Sequence, residues 1–204
     1  MAKRMFDLAI AGLGLLLLCP LLLLIALAIK LDSPGPVFYR QERIGRGGRP
    51  FRIHKFRTMR DGAAGAQLTV GADARITRVG AVLRRSKLDE LAQLIDVIEG
   101  TMSLVGPRPE VPRYVAMYPA ALRDKVLSVR PGITDIASLE YRQESELLAR
   151  AADPEREYVE VVMPAKLKLA AAYVDQASLA TDLRLILRTL GVLAGGVLFR
   201  RGRA

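Results

Sequence analysis

The chain of 204 residues holds one cysteine, Cys19, one histidine, His54, and no tryptophan. A lone cysteine excludes an intrachain disulfide and any cysteine-rich metal site. A lone histidine argues against histidine-based zinc sites and Ser–His–Asp chemistry. Aromatic residues make up only 5%, which leaves little for base-stacking surfaces, and no helix-turn-helix or zinc pattern is visible. Acidic residues are also in the minority: 21 Asp and Glu stand against 31 Lys and Arg, a net charge of +10. Such an excess points to anionic partners: nucleic acid, anionic lipid or phosphorylated substrates. Any chemistry must run on carboxylates, Arg, Lys and hydroxyls. Hydrophobic residues reach 51%, which excludes global disorder. The length suffices for one domain with a core plus one membrane element. No internal repeat, low-complexity tract or clean linker is present. The organisation expected is therefore an N-terminal anchor, residues 1–31, and one folded unit, residues 32–204.

Residues 8–29 contain no charge and are close to the roughly 20 apolar residues of a spanning helix. A cleaved signal peptide would be shorter and end in a small-residue site, whereas this run leads into Lys30. Pro20 stands in the middle, where it removes a backbone hydrogen bond and kinks a helix. Basic residues flank both ends: Lys3 and Arg4 before, then Lys30, Arg40, Arg43, Arg46, Arg49 and Arg52 after. The positive-inside rule places both flanks in the cytoplasm. A helix broken at Pro20 that enters and leaves by one face satisfies both observations. A spanning helix stays open on the residues alone, because the second flank belongs to the folded unit.

Beyond the rigid loop Asp32-Ser33-Pro34-Gly35-Pro36, residues 37–44 and 50–56 read as two strands around Gly45-Arg46-Gly47-Gly48. His54 reads as a strand surface residue. Residues 61–74 read as a mobile polar loop. Residues 76–85 read as a helix with Val79, Val82 and Leu83 on one face. Leu88, Leu91, Leu94, Ile95 and Ile98 mark an amphipathic helix that starts at Ser86 as N-cap and stops at Gly100. Gly106-Pro107-Arg108-Pro109 is a stiff, extended turn. Residues 113–129, 153–175 and 178–199 read as helices, the last apolar and followed by Arg200, Arg201 and Arg203. Its Leu183, Leu187, Leu190 and Leu198 suit either an anionic membrane surface or internal packing. Gly191 and Gly195 have helix-packing spacing, although a helix that is simply rich in small residues has the same pattern. The fold class expected is mixed α/β, dominated by helices, with a small β-hairpin and amphipathic helices on a helical membrane plug.

Asp89 and Glu90 fall in the first turn of a predicted helix, where acidic residues are favoured by the dipole alone. Their surroundings suggest more. Arg84 and Arg85 lie upstream, Arg108 is held between prolines downstream, and Lys55 and Arg57 follow the hairpin. Arginine forks suit phosphate. A carboxylate near phosphates and a divalent cation can bind Mg²⁺ or attack phosphorus. The helix N-terminus and the cations are expected to keep the pair ionised despite their mutual repulsion.

The chain resembles the bacterial sugar transferase family of monotopic phosphoglycosyl transferases, in its small form of a catalytic domain with one membrane helix. The resemblance covers nearly the whole chain. It runs through Lys3-Arg4-Met5-Phe6-Asp7, the Pro-interrupted apolar helix, Gly35-Pro36-Val37-Phe38, Gln41-Glu42-Arg43-Ile44-Gly45 and Lys55-Phe56-Arg57-Thr58-Met59. It is densest over residues 83–109, LRRSKLDELAQLIDVIEGTMSLVGPRP. The resemblance implies a re-entrant helix in the cytoplasmic membrane with the catalytic domain facing the cytoplasm. It implies transfer of a sugar-1-phosphate from a UDP-sugar to polyprenyl (undecaprenyl) phosphate, giving polyprenyl-diphospho-sugar and UMP. That reaction opens exopolysaccharide, O-antigen, capsule or glycoprotein-glycan assembly. The implied roles are Asp89 as nucleophile and metal contact, Glu90 as its support, and Arg84 and Arg108 as phosphate binders, with Arg142 a looser match. The implied cofactor is Mg²⁺, with Mn²⁺ as substitute. The implied partners are the donor, the lipid phosphate and membrane lipid; nucleic acid is not among them, and a homodimer is compatible with the pattern. Cys19 stands where Ser often precedes the proline, Ala92 where Pro often follows the acidic pair, and residues 135–142 depart from the commoner version. The last departure leaves the sugar and the role of Arg142 open.

A basic module without catalysis rests on net charge alone. A structural scaffold for glycan assembly would tolerate loss of Asp89 and Glu90, which one activity assay decides.

Overall fold

The computed structural model describes residues 1–62 and 73–198, with side chains to 193. Most of the expected loop at 61–74, the side chain of Leu198, and Arg200, Arg201 and Arg203 lie outside the described residues, and nothing beyond the backbone is described at Gly195.

Helix α1 spans Ala2–Asp32 without interruption, so the break expected at Pro20 does not divide it; the proline lies inside the helix. Asp7, Ala11, Ile25 and Ile29 are buried along it, and Phe6, Leu15, Leu18, Leu22 and Ala26 pack partly against the body. These positions recur every three or four residues, so one stripe of α1 lies on the folded unit over its whole length. The other side, including Leu13, Leu16, Leu17, Leu24 and Leu27, is exposed. Polar ties fix both ends. Arg4 donates to the carbonyls of Val97 (2.6 Å) and Ile98 (3.1 Å), and Asp7 accepts from Ser103 Oγ at 2.8 Å. At the far end, Asp32 Oδ2 accepts from the Val79 amide at 3.0 Å.

The predicted hairpin forms in two pieces. Strand β1 (Phe38–Tyr39) pairs antiparallel with β4 (Lys55–Phe56), and β2 (Glu42–Ile44) with β3 (Pro50–Arg52). His54 sits between the pieces and is buried, unlike the surface residue the alternation suggested. Its backbone amide and Nδ1 each lie 2.8 Å from the Asp96 carboxylate, and Arg40 meets its Nε2. A neighbouring acid on another element thus draws the ring inward, which strand alternation cannot reveal.

Helix α2 covers Arg78–Ser86, capped by Thr77, whose Oγ1 accepts from Gly80 N at 3.0 Å. Leu83 is buried, but Val82 is 59% exposed, so the apolar face is narrower than expected. A Cβ on Gly80 would lie 2.0 Å from the Thr58 carbonyl oxygen, so only glycine lets α2 lie against the chain after β4. Ser86 is not an N-cap. It ends α2, and its hydroxyl bonds back to the carbonyl of Val82 at 2.9 Å. The expected amphipathic helix begins as a 3₁₀ turn, Leu88–Gln93, and continues as α3, Leu94–Glu99. At three residues per turn the 3₁₀ start changes the phase. Asp89, Ala92, Gln93, Asp96 and Val97 become the inward stripe, and Ile98 is exposed.

Strands β5 (Ser103–Val105) and β6 (Gly132–Thr134) pair in parallel, a contact the sequence reading did not anticipate. The expected helix at 113–129 is two short ones, α4 (Pro112–Val115) and α5 (Ala120–Val126), because Pro119 breaks the run and stands at the N-cap of the second. Helices α6 (Ile136–Glu140) and α7 (Glu144–Leu148) follow. The segment at 153–175 is helical as expected: α8 (Pro154–Glu157), a π turn (Tyr158–Val162) and α9 (Met163–Asp175). Pro164 lacks the amide that would bond the Glu160 carbonyl, which accounts for the widening just before it. Helix α10, Leu179–Leu198, is the last element of the described residues. The architecture is helix-dominated with small strands and one long apolar helix, as expected.

Candidate active site

Lys87 enters the 3₁₀ turn at φ 59°, the only non-glycine residue with positive φ among the described residues. That left-handed step costs about 1–3 kcal/mol and persists only where the surroundings impose it. It reverses the chain after α2, burying Asp89 (2% exposed) and presenting Glu90 beside it. The expected placement in an α-helical first turn, with dipole stabilisation, is therefore not what holds the pair.

Cations hold it instead. Lys55 Nζ lies 3.0 Å from Asp89 Oδ2 and 3.2 Å from Glu90 Oε1, bridging the two carboxylates. Arg108 grips Glu90 with two contacts, Nη2 to Oε1 at 2.5 Å and Nη1 to Oε2 at 3.2 Å. Burial works to raise the Glu90 pKa, but Arg108, with Lys55 and Lys87, outweighs it and holds the carboxyl well below its usual range. Arg108 is correspondingly raised, first by Glu90 and against the cost of burial. Each of the two adjacent acids shares the Lys55 cation. Asp89 Oδ1 differs from the other three carboxylate oxygens: it is buried with no hydrogen-bond partner.

The scaffold explains the spacing. Lys55 comes from β4, which packs on the 3₁₀ turn. Arg108 follows β5, and its place depends on the parallel contact with β6. A Cβ on Gly132 would fall 2.1 Å from Gly106 N, and one on Gly106 would fall 2.4 Å from the Arg130 carbonyl oxygen. Gly132 N donates to the Pro107 carbonyl at 3.0 Å. Buried Asp135 accepts from the Arg108 amide at 3.3 Å and, as N-cap of α6, from the Ser138 amide at 2.7 Å.

Asp89, Glu90, Lys55, Arg84, Arg108 and Arg142 all line one cleft of about 510 Å³. Arg57 is not brought to the carboxylates. Its guanidinium binds the backbone carbonyls of Ser33 (2.8 Å) and Pro34, tying the loop after α1 to the hairpin. Gly35, at φ +117°, makes room: a Cβ there would lie 2.6 Å from Arg57 Nη1. Arg57 lines a second cleft of about 720 Å³ instead. Pro20 belongs to α1 and lines neither cleft.

The sequence reading missed part of the first cleft. Arg43 Nη1 binds Glu110 Oε1 at 3.0 Å, and Tyr158 OH donates to Glu110 Oε2 at 2.5 Å. Burial and Glu110 push the Tyr158 phenol far up, so it stays a donor. Lys166, paired with Glu144 at 2.6 Å, lies over the Tyr158 ring, 5.4 Å from its centroid. Glu110 follows directly on Gly106-Pro107-Arg108-Pro109 and could have been flagged. Tyr158 and Lys166 sit in no motif, and only the tertiary fold brings them in.

The site fits a hard divalent cation. Asp89 Oδ1 is an uncommitted carboxylate oxygen, and Mg²⁺ commonly takes one or two carboxylates with substrate phosphates. His54, Asp96 and Glu99 also cluster. Both His54 nitrogens are already engaged, by Asp96 and Arg40, which makes that group structural.

Similarity to known proteins bears on this arrangement. The family described as bacterial sugar transferase matches residues 1–196. The chain is 42% identical over 193 residues to a UDP-glucose:undecaprenyl-phosphate glucose-1-phosphate transferase of Caulobacter vibrioides, covering 92% of this chain and 68% of that protein. It is 37% identical over 193 residues to the Escherichia coli protein of the same description, covering 92% of this chain and 39% of that one. It is 43% identical over 141 residues to a UDP-N-acetylgalactosamine-undecaprenyl-phosphate N-acetylgalactosaminephosphotransferase of Aeromonas hydrophila, covering 67% and 33%. The chain thus spans about two thirds of the first relative and only 39% and 33% of the other two.

Proposed function

The chain belongs to the bacterial sugar transferase family, and from that premise we propose that it transfers a sugar-1-phosphate from a UDP-sugar to a polyprenyl phosphate through a covalent intermediate on Asp89. The observation that carries the reading is the buried, unpartnered Asp89 Oδ1 beside a row of cations in one cleft. Oδ1 attacks the sugar-bearing phosphorus; the new O–P bond forms as the bond to UMP breaks, and UMP leaves with the electron pair. An oxygen of the lipid phosphate then attacks the same phosphorus and releases the Asp89 carboxylate. A covalent stage lets one site serve a soluble donor and a membrane-held acceptor in turn.

Lys55 anchors Asp89 through Oδ2, which holds Oδ1 in place with no hydrogen-bond partner of its own. Arg108 and Arg84 face the charge that builds on the phosphoryl oxygens. Glu90 fixes Arg108 and Lys55 and is a positioning residue in this scheme. The Asp89 carboxylate would contact Mg²⁺, which would supply charge neutralisation to the diphosphate; Mn²⁺ has the same preference for oxygen. Arg142 lines the cleft from its exposed edge.

The membrane reading is monotopic, with residues 32–204 on the cytoplasmic face. Lys3 and Arg4 at one end of α1 and Asp32 at the other contact the same body. A spanning helix would separate those ends by about 30 Å of hydrocarbon. Both ends on one side, with a leucine-rich exposed middle, support a helix that dips into one leaflet. Leu183, Leu187 and Leu190 of α10 are exposed as well, which favours lipid contact over internal packing.

The test is intact-protein mass spectrometry with donor alone. A phospho-sugar adduct mapping to Asp89, with UMP released before acceptor is added, is expected, and Asp89→Asn should abolish both adduct and turnover. Appearance of UMP only after lipid phosphate is supplied would refute the covalent route.

A further inference from the structure

The two clefts meet at a shared wall. Arg43, Lys55, Arg84 and Arg108 line both of them, whereas Asp89 and Glu90 line only the first. Their other walls differ in chemistry. The first carries eleven aliphatic side chains, among them Ile10 of α1, Leu94 of α3, Ile133 of β6 and Ile186 and Leu190 of α10. The second has few aliphatics, and its lining holds eight basic residues against two acidic ones, Glu42 and Asp61. Half-exposed Tyr39 lines it, as do Gln41 and Arg60. The cleft on the carboxylate side of the basic row thus has a largely aliphatic wall, with Tyr114, Tyr141 and Tyr158 also lining it, and the one across the row is polar and cationic with few aliphatic side chains.

We infer that the second cleft is the nucleoside pocket: it holds the uridine of the donor and of departing UMP, with the phosphates seated on the shared basic row. The inference rests on the donor being a UDP-sugar. It follows from two independent considerations. In-line displacement at phosphorus puts the leaving group opposite the nucleophile. Asp89 stands on the first-cleft side, so UMP departs toward the second. A uridine also gains nothing from an aliphatic wall, and the arginines suit phosphate; half-exposed Tyr39 offers a base a stacking face, whereas Tyr114 and Tyr158 of the first cleft are buried and packed on each other, 4.9 Å between ring centroids. The volume of about 720 Å³ falls in the range of ordinary small-molecule sites. Arg75 and Arg113 are already paired with Asp73 and Glu155, so Tyr39 and Arg60 are the discriminating positions. The acceptor phosphate must also attack opposite Asp89. It therefore takes the seat that the UMP phosphate vacates, while the nucleoside part of the pocket serves the donor alone.

Binding of UMP to the purified full chain, by calorimetry in detergent, tests this with Tyr39→Ala, Arg60→Gln and Leu190→Trp. Tyr39→Ala and Arg60→Gln should each weaken UMP about tenfold, the low-to-middle range for loss of one stacking or phosphate contact. They should raise KM for the UDP-sugar in parallel, and Tyr39→Ala, which touches only the nucleoside part of the pocket, should leave KM for the lipid phosphate unchanged. Leu190→Trp, which narrows only the first cleft, should leave UMP affinity unaltered. Tyr39 is half exposed, so its truncation removes little packing, and Arg60→Gln gives a second measure without an aromatic loss. Unchanged UMP affinity in both variants, or loss of UMP binding in Leu190→Trp, would place the nucleoside in the first cleft and overturn the assignment with the transferase reading intact. No UMP binding by the unaltered chain and no UMP released from any UDP-sugar would instead sink the donor reading itself.

Discussion

Replacing Glu90 by Gln isolates what the bridging cations contribute. The substitution keeps the shape, removes one charge, and leaves Arg108 without the carboxylate it grips twice, at 2.5 and 3.2 Å. Removing one partner of a fully buried pair costs about 3–5 kcal/mol, and exposed pairs contribute about 0–1. The Glu90 side chain is 13% exposed and that of Arg108 35%, so this pair lies between those limits. An expected loss of about 2 kcal/mol follows, or about 4–8 °C in Tm for a domain of this size. The pH dependence is sharper still. The folded-state pKa of Glu90 is depressed, so its stabilisation is fully present above the unfolded carboxyl pKa of about 4.3 and is lost as pH falls through the lower folded value. The difference in Tm between the unaltered chain and Glu90→Gln should hold constant at neutral pH and shrink below about pH 4. Turnover should fall, by about ten- to a hundredfold, because Lys55 and Arg108 lose their common anchor. Thermal unfolding in detergent from pH 3 to 8, with rates at pH 7, measures both. A Tm difference that grows on acidification, or a variant as stable as the parent at pH 7, would refute the reasoning.

Gly132→Ala should disrupt the β5–β6 contact and displace Arg108, since the new Cβ would meet Gly106 N at 2.1 Å; a loss of more than about 3 kcal/mol in stability is expected by urea titration. Excess EDTA should abolish turnover and Mg²⁺ or Mn²⁺ should restore it; full activity in the chelator would exclude the cation role given to the Asp89 carboxylate. Cys19 is exposed on α1 beside Pro20, so an impermeant maleimide should label it in detergent and not in sealed vesicles. A cysteine at exposed Ala2, in a Cys19→Ser background, should label only from the side bearing the catalytic unit; labelling from the opposite side would contradict the monotopic reading.

The carboxylate pair and its arginines were legible because their motifs are local: Leu88-Asp89-Glu90-Leu91 and Gly106-Pro107-Arg108-Pro109 each hold one partner of the central pair in a short, stiff segment. What holds the pair was not legible. Lys87 gives no sign in sequence of a left-handed step, yet that step sets the phase of the following helix and turns Asp89 and Asp96 inward. Strand β6 carries only three residues and pairs with β5 across a separation of 29, from Ser103 to Gly132. Its signal lay in Gly106 and Gly132, whose missing side chains are explained only once the two strands cross. Arg57 shows the reverse failure. A basic residue beside a hairpin strand suits phosphate by composition, but unsatisfied carbonyls after α1 at Ser33 and Pro34 compete for the guanidinium and win.

Helix α1 carries the same lesson into the membrane question. A run in which nearly every residue is apolar has no readable face, so the sequence could not distinguish a helix surrounded by lipid from one lying on its own protein. Packing decides it: Asp7, Ala11, Ile25 and Ile29 are buried while Leu16 and Leu17 are 72% and 69% exposed. The buried carboxylate of Asp7 is the informative position. An acid in the first turns of an apolar helix is costly in hydrocarbon, about 2.5–3.5 kcal/mol at a helix centre. Here it is satisfied by Ser103 Oγ and the Leu104 amide at the start of β5. The same strand leads through Gly106 to Arg108. Asp7 therefore couples the seat of the helix to the residue that clamps Glu90, and Asp7→Asn should weaken α1 docking and slow turnover together. Retained turnover in a variant whose α1 has become accessible to protease would separate the two and break that coupling.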